Sequence, residues 1–522
     1  MDSFDYVIVG AGTAGCVLAN RLSADGKTSV LVLEAGGTDR RPMIQLPIGY
    51  GRLLFASAVN WMYETESEPA LGGRRSFWPR GKVIGGSGSI NAMVYVRGQS
   101  RDFDDWEAMG NPGWGYRDVL PYFGGLMHVT DISKDVHPLC DVYIEACRAL
   151  GFAYTPDFNG SANEGVGVYQ INTRSGVRAS SANAYLRPAL KRANLTLRAR
   201  AHATGILFRE RRAVRVQYFL HGRLTEVTAR RGVVLSGGAI NSPQLLQLSG
   251  IGDTNLLRQL GINTIVDSRA VGRNLQDHLA VSYVYRCTRP TLNDELYPLS
   301  GKIRAALRYA FDRRGPLSMS VNQGGGFVRS DPQQPAPNLQ LYFNPVSYTK
   351  TPLSDRKLLS PDPFPGFITS FNSCRPTSRG FLRIVSPDPL TAPRIQPNYL
   401  DTEQDLAEAL AGCRLLKRMA ATPPLANVIE EEIAPGRAVA TDAELLADFR
   451  ARADSVFHPV GTCTMGSDPR TSVVDARLRV HGVSNLRVID SSVFPTITSG
   501  NTNAPTVMVA EKGAAMLLED DR

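Results

Sequence analysis

The chain has 522 residues, 43% hydrophobic and 20% charged, with 48 glycines and 33 prolines, which excludes a disordered or fibrous protein and fits a large, turn-rich globular one. No stretch reaches the ~18 consecutive apolar residues of a membrane-spanning helix, so no span is expected. The net charge of +9 comes from scattered basic residues; nothing resembles a nucleic-acid motif, and the balance reads as a generally basic surface, with attraction to an anionic membrane face or an acidic partner as the sharper alternative.

The densest signal comes first. Asp5-Tyr6-Val7-Ile8-Val9 reads as an apolar strand running into Gly10-Ala11-Gly12-Thr13-Ala14-Gly15, with an apolar helix start, Cys16-Val17-Leu18-Ala19, behind it. A second strand over residues 29–33 ends on Glu34, followed by Ala35. Strand, G-x-G-x-x-G turn, helix, strand and acid in this order predict a dinucleotide site. Gly10 makes the tight turn. Gly12 lets backbone approach a pyrophosphate seated on the N–H groups of the helix start. Gly15 lets helix and strand pack closely, and Glu34 accepts hydrogen bonds from a ribose diol. That carboxylate disfavours a 2′-phosphate, so NADP is the least suitable dinucleotide. The strand begins near residue 5 with no basic or apolar leader before it, so no signal peptide is expected. Seven cysteines with no C-x-x-C spacing fit reduced thiols and a cytoplasmic protein.

Residues 36–80 are loop-rich, and 81–98 are glycine-rich and then apolar. Residues 138–151 read as an amphipathic helix with Leu139, Val142, Tyr143, Ala146 and Leu150 on one face. Residues 195–235 alternate as strands, with Arg209-Glu210-Arg211-Arg212 as a hairpin tip. The strand Gly232-Val233-Val234-Leu235-Ser236 enters Gly237-Gly238-Ala239 and a helix carrying Leu245, Leu246 and Leu248. Proline-punctuated strands fill 286–450, with one good helix at 401–419. Asn485-Leu486-Arg487-Val488-Ile489-Asp490 is a strand ending on an acid, and a last helix covers about 505–518. Nucleotide-binding features at the start, middle and end predict a discontinuous cofactor domain, 1–150 with 191–285 and 451–522. A second domain, 151–190 with 286–450, is inserted into it.

Four ordered segments carry a family resemblance. Gly81-Lys82-Val83-Ile84-Gly85-Gly86-Ser87-Gly88-Ser89-Ile90-Asn91 resembles the first signature of the glucose–methanol–choline (GMC) oxidoreductases. Gly238-Ala239-Ile240-Asn241-Ser242-Pro243 and the residues to Gly252 resemble the second. His458-Pro459-Val460-Gly461 resembles the segment with that family's catalytic histidine, and Gly500-Asn501-Thr502-Asn503-Ala504-Pro505 its C-terminal flavin segment. Within the family the chain looks most like bacterial choline-dehydrogenase-like alcohol dehydrogenases. Asp157-Phe158-Asn159-Gly160 and Gly165-Val166-Gly167-Val168-Tyr169-Gln170 resemble the aliphatic alcohol and sorbose dehydrogenases.

The resemblance implies an α/β (α+β) fold: a Rossmann-like FAD-binding domain and an inserted substrate domain on an antiparallel sheet. It implies oxidation of a small alcohol, with a quinone or oxygen as electron acceptor. Asn91 stands where some relatives carry a histidine bonded to the flavin, so FAD is expected to be non-covalent. Asn91, Ala92, Met93 and Val94 are implied flavin contacts, as are Gly81, Gly86, Ser87, Ser236, Gly237, Phe457 and Thr502. Ala203 corresponds to a strand residue whose backbone meets adenine, and Asp490 to the acid at the ribityl or phosphate region.

Oxidising an alcohol needs a base near pKa 7 for the hydroxyl proton, and a histidine is the natural choice. Of seven histidines, His458 is the candidate; His278, in a family-like segment, is read as mainly structural. Asn503 is expected to orient the substrate oxygen and cap the last helix, with Asn501 as the alternative. The start of that helix should turn its positive end toward the flavin pyrimidine. Cys374 stands about where the family's light-driven fatty acid decarboxylases carry a cysteine. That chemistry and a hydroxynitrile lyase are the non-oxidising alternatives, and an oxygen-using oxidase is the oxidising one. The segment after Phe123 is markedly shorter than in relatives, at a place that borders the substrate entrance. Phe343, Tyr348, Phe364, Phe367 and Phe371 are either an aromatic pocket lining or strand core.

Overall fold

The computed structural model describes residues 2–348 and 360–521. Two seven-stranded sheets organise them. In the first, Asp2–Val9 lies between Val30–Glu34 and Arg223–Leu235, all parallel, with Leu195–Ala199 beyond Val30–Glu34. Val30–Glu34 is buried throughout, as a strand covered on both faces must be, and its sequence is a continuous apolar run. Arg223–Leu235 is long enough to serve twice. Its first half pairs antiparallel with Arg212–Leu220, its last residues parallel with Leu486–Val488. The turn at Glu210, φ +55°, closes the hairpin to Ala201–Arg209 that the basic run anticipates.

The helix Thr13–Leu22 packs on this sheet against the terminal helix Asn503–Asp520. Arg21 forks onto Glu511 at 2.6 and 2.8 Å, and Tyr185 donates to the same carboxylate at 2.7 Å. The terminal helix therefore begins two residues before the sequence expectation and reaches further.

The second sheet is antiparallel, in the order Ile429–Ala434, Leu279–Cys287, Gly366–Ser373, Leu339–Asn344, Gly324–Val328, Gly165–Val168, with Asp454–Ser455 on the edge of Leu279–Cys287. Leu279–Cys287 thus belongs to the inserted unit, and the chain changes sheets before residue 279 rather than at 285. Helix Leu139–Ala149 also buries Leu139, Tyr143 and Ala146 in this second core, not the first. Conversely, Ala182, Tyr185, Leu186 and Ala189 pack in the first core. The predicted boundaries fail there because helical and strand periodicity mark elements, not which core an element joins.

Candidate active site

A cleft of about 450 Å³ lies between the two sheets. Its first half is made of backbone. The glycine turn after Val9 is closed so tightly that a Cβ on Gly15 would stand 1.8 Å from the Gly10 carbonyl oxygen, and one on Gly10 2.5 Å from that of Ser236. Helix Thr13–Leu22 starts with no side-chain cap and no acid in its first turn. The terminal helix also starts uncapped, and its first residue is joined to the other helix start by Thr13 Oγ donating to Asn503 Oδ1 at 2.9 Å. Two positive helix ends therefore meet at one wall, an arrangement that an anionic group between them stabilises.

The rest of this half fits the same ligand. Glu34 accepts from the N–H groups of Ala11 at 2.9 Å and Gly36 at 2.7 Å, and its carboxyl lines the cleft. Burial wins over those two bonds and pushes its pKa up to about 7, so further donors such as ribose hydroxyls would favour the charged form. Ala35, Ala203 and His202 line the same end, with Trp61 packed edge-on to His202. Asp490 accepts from Ser492 and Gly238 N–H and the Ser242 hydroxyl, bracing the second glycine turn at the cleft. The donor set, the glycine cradle and the acid fit a dinucleotide such as FAD.

At the other half stands His458, on a loop held in an uncommon conformation: Phe457 before it has φ +70°. Three contacts impose it. Ser455 Oγ accepts from Phe457 N–H, Arg80 donates to the Phe457 carbonyl, and Asp277 Oδ1 accepts from His458 N–H at 2.7 Å. The next residue, His278, meets the imidazole itself. His278 Nε2 lies 3.0 Å from the Cys374 carbonyl, and His278 Nδ1 lies 3.0 Å from His458 Nδ1.

A carbonyl only accepts, so His278 carries its proton on Nε2 and presents a bare Nδ1. His458 must then carry its proton on Nδ1, which leaves the Nε2 lone pair facing the cleft. Asn501 Nδ2 lies 3.1 Å from that nitrogen and donates to it. Asn501 Oδ1 in turn accepts from Gln340 at 3.3 Å. Burial, with His278 and Arg80 nearby, lowers the His458 pKa well below that of an ordinary imidazole. The chain of hydrogen bonds thus yields a neutral imidazole whose one ring lone pair, on Nε2, lies at the cleft and accepts from Asn501.

The substrate-side wall follows from strand pleat. On Leu279–Cys287, Leu339–Asn344 and Gly366–Ser373, alternate residues face opposite ways. Tyr283, Leu341, Phe343, Phe367 and Phe371 enter the core, while Ala280, Ser282, Tyr342, Asn344 and Ser370 line the cleft. Ser370 sits opposite both Ser282 and Tyr342 in the register and donates to Ser282 Oγ at 2.9 Å. The Tyr342 hydroxyl is buried beside Asn501. Asn322 and Tyr348 complete this side. Of the five aromatics in question, only Tyr348 therefore lines the cleft; Phe364 lies against Arg286.

All the expected site residues border one cleft except Gly15, whose part is packing: Gly10, Gly12, Thr13, Ala14, Glu34, Ala35, Gly81, Gly86, Ser87, Asn91, Ala92, Met93, Val94, Ala203, Ser236, Gly237, Phe457, His458, Asp490, Asn501, Thr502 and Asn503. Two assignments change. Asn501, not Asn503, touches His458, and Asn503 is the first helical residue rather than the cap, its amide oxygen used by Thr13. The reason is a turn at Gly500, φ +99°, which points residue 501 at the histidine before the helix begins.

The sequence reading missed the His278 contact and the polar sheet face. It also missed Arg178, fully buried with no acid beside it, which binds the carbonyls of Ile44, Gly88 and Asn91 and the Asn91 side chain. Period-two alternation from Leu279 onward was the available signal for the sheet face; Arg178 had none. The Cys374 thiol lies in a closed apolar cluster, its pKa pushed up by burial, and does not line the cleft.

Two family models described as GMC oxidoreductase match residues 4–280 and 376–510. Over 99% of its length the chain is 40% identical to an alcohol dehydrogenase [acceptor] of Pseudomonas putida, covering 96% of that protein. It is 42% identical, again over 99%, to an oxygen-dependent choline dehydrogenase of Vibrio vulnificus, covering 94% of that one. Among solved structures, the pyridoxine 4-oxidase from Mesorbium loti superposes with a TM-score of 0.88 at 30% identity, over 98% of each chain.

Proposed function

The chain belongs to the GMC oxidoreductase family, and from that premise we propose that it oxidises a primary or sugar-type alcohol to the carbonyl, with FAD held non-covalently and a quinone as electron acceptor. The observation that carries this reading is the neutral His458, its Nε2 at the cleft beside the Asn501 amide and its Nδ1 proton fixed by His278.

His458 Nε2 takes the hydroxyl proton of the substrate. Asn501 holds the substrate oxygen against that nitrogen by the amide N–H that now points there. As the carbon loses hydride it becomes a carbonyl, and accepting that hydride is the chemistry the flavin supplies when bound. His458 becomes cationic in the step, and the buried His278 keeps its ring from turning. Ser282, Ser370, Tyr342 and the paired amides of Asn322 and Asn344 offer hydrogen bonds to a second polar group of the alcohol. Asn91 supports non-covalent FAD, since its amide cannot form the flavin bond and its oxygen is taken by Arg178 and the Met93 N–H.

The experiment is reoxidation after anaerobic reduction by alcohol. Slow reoxidation in air and rapid reoxidation by a soluble quinone fits the proposal. Rapid reoxidation in air with stoichiometric peroxide would make the protein an oxidase, the reading favoured by its likeness to the pyridoxine 4-oxidase. Acid precipitation should release intact FAD; flavin retained by the pellet contradicts non-covalent binding.

A further inference from the structure

The helix Leu299–Asp312 turns small residues toward the protein and large apolar ones away from it. On its inner face Gly301 and Ala305 are buried and Tyr309 is half-buried, its hydroxyl donating to the Gly176 carbonyl at 3.0 Å. A side chain at Gly301 would collide with the Glu295 carbonyl, so this face requires small residues. Its large apolar residues point the other way. Leu299, Ile303, Leu307 and Phe311 are 73%, 52%, 53% and 88% exposed. At four-residue spacing they form one outward strip about 18 Å long, drifting about 40° per step. A surface helix ordinarily turns such a strip inward.

Charge surrounds the strip. Lys302, Arg304, Arg308, Arg313 and Arg314 lie on the same helix or just past its end. None forms an ion pair among the described residues. In contrast, the chain's other exposed arginines repeatedly do, as at Arg414 with Asp442 and Arg470 with Asp468. We propose that this helix docks the protein on an anionic lipid surface, the apolar strip entering the headgroup–acyl boundary and the basic residues meeting lipid phosphates. The pattern of exposed bulky apolar side chains edged by Lys and Arg is that of an interfacial helix. A second copy of the chain is the poorer occupant, because pairing two such faces sets five basic residues against five.

The preceding turn, Leu292–Leu296, packs with Val346 and with Tyr348, which lines the cleft. Docking therefore sets the substrate side of the cleft next to the lipid. The docking claim itself does not rest on the proposed reaction.

The test is co-sedimentation of the full-length flavin-loaded protein with phosphatidylglycerol-containing vesicles and with pure phosphatidylcholine vesicles, at low and high salt. The expected result is binding to the anionic vesicles that weakens with salt. Ile303→Glu/Phe311→Glu should weaken it at least tenfold without changing the melting temperature or the flavin content, and the milder Ile303→Ser/Phe311→Ser should shift it in the same direction. Arg304→Gln/Arg308→Gln should reduce binding to the anionic vesicles alone. The proposal is overturned if the wild type ignores anionic vesicles at low salt, or if both apolar pairs of substitutions bind as well as wild type. It is equally overturned if the strip instead mediates a dimer that the substitutions dissolve in sedimentation velocity.

Discussion

The two halves of the cleft are built from different material. The cofactor half is backbone: glycine turns, two uncapped helix starts, and an acid bonded to main-chain N–H groups. The substrate half is side chains, drawn from the same face of three strands that lie far apart in the chain and from the loops carrying His458 and Asn501. Backbone sites require particular residues in contiguous order, because only certain residues permit the turn. Side-chain sites need only that the right atoms arrive, and any distant strand can deliver them.

Substitutions should separate the halves by size of effect. In the backbone half the loss is all or none. Gly15→Val places carbon inside the Gly10 carbonyl, and no flavin-loaded protein should be recovered in the soluble fraction. Recovery of yellow protein would mean that the turn relaxes and the backbone account is wrong.

In the side-chain half, effects are graded. His458→Ala should keep FAD and fold yet slow flavin reduction by on the order of a hundredfold or more, as removal of a general base does; near-normal reduction would place the base elsewhere. Asn501→Ala should slow reduction roughly tenfold, the ~1.4 kcal/mol of one hydrogen bond, and Asn503→Ala less. A reversed order, read by stopped-flow, would exchange their roles. His278→Ala should cost less again, since it leaves the His458 Nδ1–H without its acceptor and the ring free to turn. His278→Gln, which can both donate to Cys374 and accept from His458, should restore most of the rate. No rescue by Gln would remove His278 from tautomer control.

The same contrast explains what could be read from the chain. Gly10 to Gly15, Glu34 and three of the four family-like segments specify the cofactor half, because each spells a backbone path in consecutive letters. His458 was visible for the same reason, inside a recognised segment. Its partner was not: Asn501 and Asn503 differ by two residues, and the choice depends on the turn at Gly500. His278 lay in view as a sequence, but its meeting with His458 needs the antiparallel bridge between Gln276 and Val460, which joins distant segments. The aromatic residues 343, 367 and 371 read as lining or core with equal ease until pairing registers them with Tyr283 and Leu341. Domain boundaries failed at Leu279 because strand propensity carries no label for the sheet it joins.

The central claim is that His458 is a neutral base whose unprotonated Nε2, beside Asn501, takes the proton of an alcohol next to the flavin. Its most direct test is anaerobic reduction of the flavin in the dark by a panel of primary alcohols, with the rate followed as pH is lowered. With the His458 pKa depressed, the base stays neutral through the ordinary imidazole range. The account predicts bleaching of the oxidised flavin, at a rate that holds steady down through about pH 6.5 and falls only below it. A flavin that stays oxidised with every alcohol, or a rate already falling above pH 6.5, would contradict it.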